Sequence, residues 1–358
     1  MKPPRMSRLL LAAGIGLTLA VSSACLSTTS SSSGGGGSSS KKLVYFIFNG
    51  YTPPYFAPMA TGITAASKHY PDLDIKIIGA NGSSSDEISD LHTAVAAGAK
   101  AIILNAVDAS VTTAAKQAAS QGVPIITIDR DVSDPTARIA FIGDNDKLLG
   151  QQETTNCLQG LQASGLPKPW NTVVIEGTLG ASTAVDRLNG TMSTLKPYIA
   201  SKSVHVALNQ SADFDTGKAQ AMMSSFLASK PSVQAIISGN DAMALGVLSA
   251  LKSNGIAAGK KTIVCGVDAQ PESLAAIKAG TQYNTVTHSP YLEAFWAVEA
   301  MDNYLTHKTK PPASDPQGNV LIPQNLVTST NVGTVSAWGT PQTIPPLPYG
   351  SSKSYPAG

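Results

Sequence analysis

The chain has 358 residues, which is too long for one ordinary domain and suits two. Only 13% of its residues are charged, and 25 Lys and Arg residues nearly balance 23 Asp and Glu residues, so the basic excess typical of a nucleic-acid-binding surface is excluded. Because 42% of the residues are hydrophobic, a disordered acidic chain is excluded as well, and we expect a globular protein.

The first residues have the pattern of an export signal. The basic residues Lys2, Arg5 and Arg8 precede an apolar run over residues 9–21, and small residues follow it. This run is shorter than the roughly 20 residues that span a bilayer as a helix. The sequence therefore predicts a signal peptide over residues 1–24, and its removal leaves 22 basic and 23 acidic residues, a net charge of −1.

Cys25 follows the signal directly. The run that ends in Ala24 and Cys25 resembles a bacterial lipoprotein signal, in which the cysteine becomes the lipidated N-terminus, although Ser22 stands where a leucine is usual. Ordinary cleavage nearby is the alternative. Residues 27–40 are almost entirely Ser, Thr and Gly, which predicts a flexible tether over residues 25–41. We expect an exported protein in the periplasm or on the outer face of the cytoplasmic membrane, held there by a lipid anchor.

Two further cysteines, Cys157 and Cys265, lie in apolar settings, one in a helical pattern and one in a predicted strand. An exported protein permits a disulfide between them. Two buried free thiols are the preferred interpretation, and a bond between them stays open. Because no metal-type spacing of Cys or His occurs, we expect no metal and no cofactor.

From Lys42 onward, short β-branched runs alternate with longer Ala-rich amphipathic runs. One helical pattern covers residues 85–97, where Ser84 and Glu87 suggest a capping box at its start. Such alternation predicts α/β lobes, each with a doubly wound parallel sheet covered by helices on both faces. The predicted strands are residues 43–48, 74–78, 101–104, 124–128 and 139–142 in one lobe, and 172–175, 204–208, 233–237, 262–267 and 283–287 in the other.

One pattern occurs twice, at nearly equal spacing, and suggests an internal repeat. A strand ends near an Asn, an Ala-rich helix and a Gly follow, and the next strand ends in an Asp. The residues are Asn105 with Asp129, and Asn240 with Asp268. Ligands bind outside the carboxyl ends of the strands in open α/β sheets, so two facing lobes would bring these side chains and Arg130 together. The alternative for each is a turn residue or a helix N-cap.

These residue types fit the recognition of a carbohydrate. Asp and Asn bond hydroxyls, and the Arg guanidinium offers five donors in a fixed fork. A sugar also has an apolar face that packs against aromatic rings. Tyr55 and Phe56 after the first strand, and Phe214 in the run at residues 212–215, are the candidates for that contact, with core packing as the alternative for Phe56.

Three segments together resemble the periplasmic ribose-binding protein family over about residues 42–332. They are VPIITIDR at residues 123–130, ADFD at residues 212–215 and NDAMALG at residues 240–246. Members of this family are solute receptors of bacterial ABC transporters, and their fold, periplasmic binding protein type I, has two α/β lobes joined by a three-strand hinge. The resemblance therefore implies a receptor that binds its ligand between two lobes.

The resemblance also implies individual roles. Tyr55 and Phe56 would stack on the sugar from one lobe and Phe214 from the other. The implied hydroxyl contacts are Asn105, Asp129, Arg130, Asn240 and Asp268.

The chain departs from the family pattern at three positions. Pro53 stands where the ribose receptor has an Asn, Val185 where it has a sugar-binding Arg, and His288 where it has a Gln. Arg187 matches a structural arginine of the family. Since a Val cannot bond a hydroxyl, we expect a different pentose, a hexose or a sugar alcohol instead of ribose, with His288 as a further contact.

The family fold crosses between its lobes three times. Here this implies connections near residues 143–146, 287–290 and 318–322. The predicted N-terminal lobe is residues 42–145 plus 289–320, the C-terminal lobe is residues 146–288 plus 321–334, and a flexible tail rich in Pro, Gly and Ser is residues 335–358.

Rival functions find little support in the sequence. No nucleophile elbow, zinc-protease helix or phosphate loop occurs, so an enzyme is not expected, and a glycosidase-like pair of Asp129 and Asp268 is the weaker alternative. A regulator of the lactose-repressor type would need a DNA-binding motif where the signal and tether lie. We expect a monomeric receptor that delivers a sugar or polyol to a permease, and the alternative is a chemotaxis or sensor-kinase partner.

Overall fold

The structure is a computed structural model that describes residues 41–52, 54–229, 232–259, 261–347 and 355–356. The predicted signal peptide, Cys25, Pro53 and all of the tether before Lys41 lie outside these residues.

Strands and helices alternate along the described chain. The strands are β1 Lys42–Phe48, β2 Leu73–Gly79, β3 Ala101–Leu104, β4 Ile125–Ile128, β5 Ala140–Gly143, β6 Trp170–Glu176, β7 Val204–Ser211, β8 Ala235–Ser238, β9 Ile263–Cys265, β10 Asn284–Val286, β11 Asn319–Leu321, β12 Leu326–Thr328, β13 Thr343–Ile344 and β14 Tyr355–Pro356. The helices are α1 Phe56–Ser67, α2 Ser84–Ala96, α3 Thr112–Ser120, α4 Asp146–Ala163, α5 Ser182–Ala200, α6 Thr216–Leu227, α7 Asp241–Ser253, α8 Pro271–Lys278 and α9 Pro290–His307. Within these described residues, no helix combines the length and apolarity needed to cross a membrane.

Twelve of these strands form two six-stranded sheets, which confirms the predicted fold class, and β13 pairs with β14 in a separate two-stranded sheet. The first sheet has the order β11-β5-β4-β3-β1-β2 and is parallel throughout. The second has the order β12-β10-β9-β8-β6-β7, with only β12 antiparallel to its neighbour. The central strands β3, β4 and β8 are buried along their whole length, which explains why they read as continuous apolar runs.

The chain passes three times between the sheets. It leaves the first sheet after β5, returns to it after β10 through α9, and crosses again between β11 and β12. Residues 319–321 pair with β5, so the third crossing follows residue 321, at the end of the segment where the sequence placed it. These neighbouring crossings form the hinge between the two lobes.

The segment after β12 differs from the expected flexible tail. Ile344 and Leu347 are fully buried in the core of the first lobe, and the Trp296 indole donates a hydrogen bond to the Pro345 carbonyl at 2.8 Å. The Trp338 backbone N–H donates to the Ala269 carbonyl of the second lobe at 2.7 Å. The segment therefore runs from the second lobe back onto the first.

Cys157 on α4 and Cys265 at the end of β9 form a disulfide, with their Cα atoms 6.2 Å apart. Both residues are fully buried. The preferred interpretation of two free thiols is therefore wrong. Helix α4 packs directly on the second sheet, and this packing brings together two positions that lie 108 residues apart.

Helix α2 begins one residue earlier than predicted, so the predicted capping box is wrong. Ser83, not Ser84, is the N-cap, and its hydroxyl accepts the Asp86 N–H at 3.2 Å. Glu87 instead points into the lobe, fully buried, where its Oε2 accepts the Val107 N–H at 2.7 Å. Burial raises the pKa of Glu87 to about 8.

This raised pKa gives a testable pH dependence. Between its ordinary pKa and about 8, Glu87 is protonated in the folded chain and ionised in the unfolded chain, so its contribution to stability falls as pH rises through this interval. Glu87→Gln mimics the protonated form and does not ionise, so its stability does not fall in this way as the pH rises. The free energy of unfolding is measured in urea at pH 5 and at pH 8. The difference between variant and wild type should be more favourable to the variant by roughly 3 kcal/mol at pH 8 than at pH 5.

The control for this measurement is Asp86→Asn, which changes an exposed carboxylate on the same helix. This variant should keep the pH dependence of the wild type. An equal difference between Glu87→Gln and the wild type at both pH values would show that Glu87 is ionised throughout.

Candidate functional site

The carboxyl ends of strands from both sheets face one cavity. Two residues that the sequence reasoning did not propose as contacts, Thr183 and Arg187, are part of its lining. The lining includes eight of the predicted ligand contacts: Tyr55, Phe56, Asp129, Arg130, Phe214, Asn240, Asp268 and His288. The enclosed space is only about 20 Å³, because side chains from the two lobes contact each other across it.

Asp129 stands at the floor of the cavity on the side of the first lobe. It follows β4 with a φ of 57°, a conformation that costs energy in a non-glycine residue and that recurs at functional sites. The Asn105 amide donates a hydrogen bond to Asp129 Oδ2 at 2.7 Å and another to the Ile128 carbonyl. Asn105 is fully buried and lies outside the lining, so it orients Asp129 instead of facing the cavity itself.

Arg130 spans the two lobes. Its guanidinium carbon lies 5.3 Å from the centre of the Phe56 ring and 5.4 Å from that of Phe214, and the second ring belongs to the other lobe. Its Nη1 donates to the Val107 carbonyl at 3.1 Å. The guanidinium is thus held over two aromatic faces, an arrangement that fixes its donors in the cavity.

Asn240 and Asp268, the second pair of the internal repeat, line the cavity from the second lobe. Asn240 is the N-cap of α7, where its Oδ1 accepts the Met243 N–H at 2.9 Å, as the alternative interpretation expected, and it also lines the cavity. Asp268 follows β9 with a φ of 115°. Each lobe therefore has an Asn and an Asp after its strands. Asn105 orients Asp129, whereas Asn240 caps α7 and also lines the cavity.

Arg187 corrects the sequence interpretation of α5. Val185, the residue expected to stand in place of a sugar-binding arginine, is 46% exposed and lies outside the cavity lining. Arg187 is 4% exposed and lines the cavity together with Thr183, four residues earlier on the same helix face. Val185 therefore offers no contact to a ligand, and the expectation of a ligand other than ribose stays a prediction. The helical spacing of Thr183 and Arg187 was the signal that could have indicated this face.

The Arg187 guanidinium connects three buried groups. Its Nε donates to Asp146 Oδ1 at 2.8 Å, and its Nη1 donates to Asp268 Oδ1 at 3.1 Å. Its Nη2 lies 2.8 Å from His288 Nδ1. Arg187 thereby links α5, the first crossing of the hinge and the second crossing.

His288 lies in the second crossing among buried carboxylates. Its Nε2 is 2.9 Å from the Tyr55 hydroxyl and 3.0 Å from Glu293 Oε1, and carboxylate oxygens of Asp129 and Asp144 are each at 3.5 Å. Burial lowers the pKa of His288, but the carboxylates of Glu293 and Asp144 outweigh this effect and raise it well above its ordinary range. Burial also raises the pKa of Asp144 to about 7.

This cluster is the part of the described chain that resembles a metal site. Asp129, His288 and Glu293 offer ligand atoms within 4.8 Å of one another. The Arg187 guanidinium already supplies positive charge beside the imidazole. A cation of the protein itself therefore lies beside these ligand atoms.

Two α/β lobes around a polar and aromatic cavity define a two-lobe solute receptor. A family model described as "Periplasmic binding protein domain" matches residues 44–309, and the chain belongs to this family. The prediction from the sequence motifs is thereby confirmed. Its members are non-catalytic, extracytoplasmic binding proteins of ABC transporters, so the prediction that the chain is not an enzyme is confirmed as well.

Named relatives agree with this membership. The ribose import binding protein of Bacillus subtilis is 32% identical over 256 residues, which are 71% of this chain and 79% of the relative. The D-apiose import binding protein of Paraburkholderia graminis is 29% identical over 293 residues, 81% of this chain and 88% of the relative. The chain is a solute-binding protein of the carbohydrate ABC transporter class.

Solved structures show the same fold. The myo-inositol binding protein of Caulobacter, bound to myo-inositol, superposes with a TM-score of 0.72 and 26% identity, covering 83% of this chain and 96% of that one. A galactofuranose binding protein superposes with a TM-score of 0.73 and 24% identity over 81% of this chain and 96% of the other.

Proposed function

We propose that the chain captures a neutral monosaccharide or cyclic polyol in this cavity and delivers it to an ABC transporter permease. The observation that carries the proposal is the lining itself, in which hydroxyl-bonding side chains and aromatic rings converge from both lobes. Asp129 and Asp268 would accept hydrogen bonds from ligand hydroxyls, and Arg130 and Arg187 would donate to them. The two carboxylates and two guanidiniums balance in charge, which suits an uncharged ligand.

The aromatic residues would position the apolar face of the ligand. Tyr55 and Phe56 come from the first lobe and Phe214 from the second, so a ring held between them would contact both lobes. His288, which stacks on Tyr55 with a centroid distance of 4.6 Å, would add a donor at the hinge. The relatives named for ribose, apiose and myo-inositol make pentoses and cyclitols the first ligands to test.

Hinge motion would couple binding to delivery. Contacts at the rim join the lobes: the Ala109 N–H donates to the Gly180 carbonyl at 3.2 Å, and the Asp131 N–H donates to the Ser182 hydroxyl at 2.8 Å. With so little enclosed space, a sugar enters only when the lobes part. A ligand that contacts both lobes then favours the closed form through its differential affinity, and a permease can distinguish loaded from empty receptor.

We further propose that the receptor is monomeric and that a lipid on Cys25 anchors it through the tether at residues 25–41. The order of basic, apolar and small residues before Cys25 supports the anchor. The names of the relatives, which are import binding proteins, favour a permease over a chemotaxis or sensor-kinase partner.

A thermal-shift screen of the mature chain tests the ligand class. Pentoses, hexoses, polyols and amino acids are compared at equal concentration. A ligand at 100 times its dissociation constant adds about 2.7 kcal/mol of stability, so a true ligand raises the melting temperature visibly. A shift with amino acids alone, or with no compound, would contradict the proposed ligand class.

Arg130→Ala should weaken binding of the ligand found in that screen by about 10- to 100-fold, since a hydrogen bond to a charged group contributes about 1.5–3 kcal/mol. Isothermal titration calorimetry gives the dissociation constants. Lys116→Ala, an exposed cation on α3, is the matched control and should bind as the wild type does. Unchanged affinity in a folded Arg130→Ala variant would show that this guanidinium has only a structural role.

A further inference from the structure

A second concave surface lies at the opposite pole of the first lobe. The amino ends of β1 and β4 and the C-terminal end of α9 surround an open groove of about 890 Å³. Its cationic lining residues are Lys41, Lys42, Lys100, Arg138, Lys308 and Lys310. Among the described residues that line it, none is acidic.

Most of these cations are available to a partner. Arg138 is bound by Asp131 at 2.6 Å, and Lys42 donates to the Thr306 hydroxyl at 2.8 Å. The other four lysines are exposed. The mature chain as a whole carries a net charge of −1, from 22 basic and 23 acidic residues, so these lysines make one pole of an almost neutral molecule strongly positive.

The chain enters the fold at this groove. Lys41 and Lys42 are the first residues of the described body, and both line the groove. A Ser/Gly chain has a root-mean-square length of about 5–6 Å multiplied by the square root of its residue number, so a tether of this size reaches on the order of 20 Å. An anchor at Cys25 would therefore hold the basic pole close to a bilayer surface.

We propose that this groove docks on the anionic phospholipid headgroups of the membrane to which the tether leads. Clustered lysines next to an anchored segment are attracted by an anionic bilayer, and this attraction adds to that of a single lipid chain. Docking uses the amino ends of the strands and leaves the ligand cavity, at their carboxyl ends, free, so it describes the receptor between its deliveries to the permease. The inference rests on the proposed anchor at Cys25 but not on the proposed ligand, because the groove shares no residue with the cavity.

The test uses the mature chain without its lipid, residues 26–358, in co-sedimentation with vesicles of phosphatidylcholine alone and of an equimolar mixture with phosphatidylglycerol. We expect binding to the anionic vesicles only, and a decrease of that binding as salt is added. Glutamate at all four exposed groove lysines should weaken binding at least about tenfold. The substitutions are Lys41→Glu, Lys100→Glu, Lys308→Glu and Lys310→Glu.

A matched control variant reverses the charge at four exposed lysines of the second lobe. It should bind anionic vesicles nearly as the wild type does. Its substitutions are Lys196→Glu, Lys202→Glu, Lys252→Glu and Lys278→Glu. Melting temperature shows that both variants are folded. Absence of binding by the wild type, equal binding to both vesicle types, or equal loss in the two variants would overturn the proposal.

Discussion

Arg187→Ala is expected to lower the free energy of unfolding by about 3–5 kcal/mol, the cost of removing one partner from a buried ion pair. The Arg187 side chain is 5% exposed and contacts Asp146 and Asp268, whose side chains are similarly buried. Its loss leaves two carboxylates in the interior without their cation. Urea unfolding at neutral pH measures the effect, and calorimetry should show ligand binding lost as well.

Two further variants separate this effect from a general loss of charge. Lys218→Ala removes a cation that pairs with Asp213 at 2.7 Å on the surface, and we expect stability to stay nearly unchanged. Arg187→Lys keeps the charge but not the planar fork, so its stability should lie between those of the wild type and Arg187→Ala. Stability of Arg187→Ala equal to that of Lys218→Ala would refute the role assigned to these buried pairs.

Loss of the disulfide should have the second large effect. The Cys157→Ala/Cys265→Ala variant is expected to lose about 2–4 kcal/mol, because a bond across a long stretch of chain restricts the unfolded state. The measurement compares urea unfolding of the oxidised wild type with that of the double variant. Reductant should bring the wild type to the stability of the variant and leave the variant unchanged. Equal stability of oxidised and reduced wild type would contradict this expectation.

The fold was predictable because its signals are local. Central strands such as β3 and β4 are buried on both faces, so they stand out as short apolar runs between amphipathic helices. Asp129 and Asp268 were recognisable for a related reason: a polar residue directly after such a strand must lie at the carboxyl edge of the sheet. These predictions needed no knowledge of how one lobe faces the other.

The parts that were missed depend on long-range packing. Whether Val185 or Arg187 faces the cavity is decided by the rotation of α5 against its sheet, which the sequence of the helix alone does not determine. Glu293 meets His288 and Asp144 only because α9 returns to the first lobe after the second crossing. An apolar setting is equally compatible with a free cysteine and a bonded one, so the bond from Cys157 was also beyond local reasoning.

The final segment was misjudged for a different reason. Its many Pro, Gly and Ser residues are typical of a flexible tail, yet Ile344 and Leu347 supply enough apolar surface to fix it to the first lobe. Trp338 contributes near the hinge, where its ring lies 5.7 Å from that of Tyr55. In the described part of this segment, these three apolar side chains outweighed the composition.

The path of that segment determines where fluorophores must be placed to detect a motion of one lobe relative to the other. The described body begins with β1 and its last strand is β14, and both strands belong to the first lobe, where Tyr355 packs against Phe295. A rotation of the second lobe therefore leaves the distance between these two strands unchanged. Two fluorophores attached beside β1 and β14 would give no signal on ligand binding, whereas one beside β1 and one on an exposed position of α7 would report it.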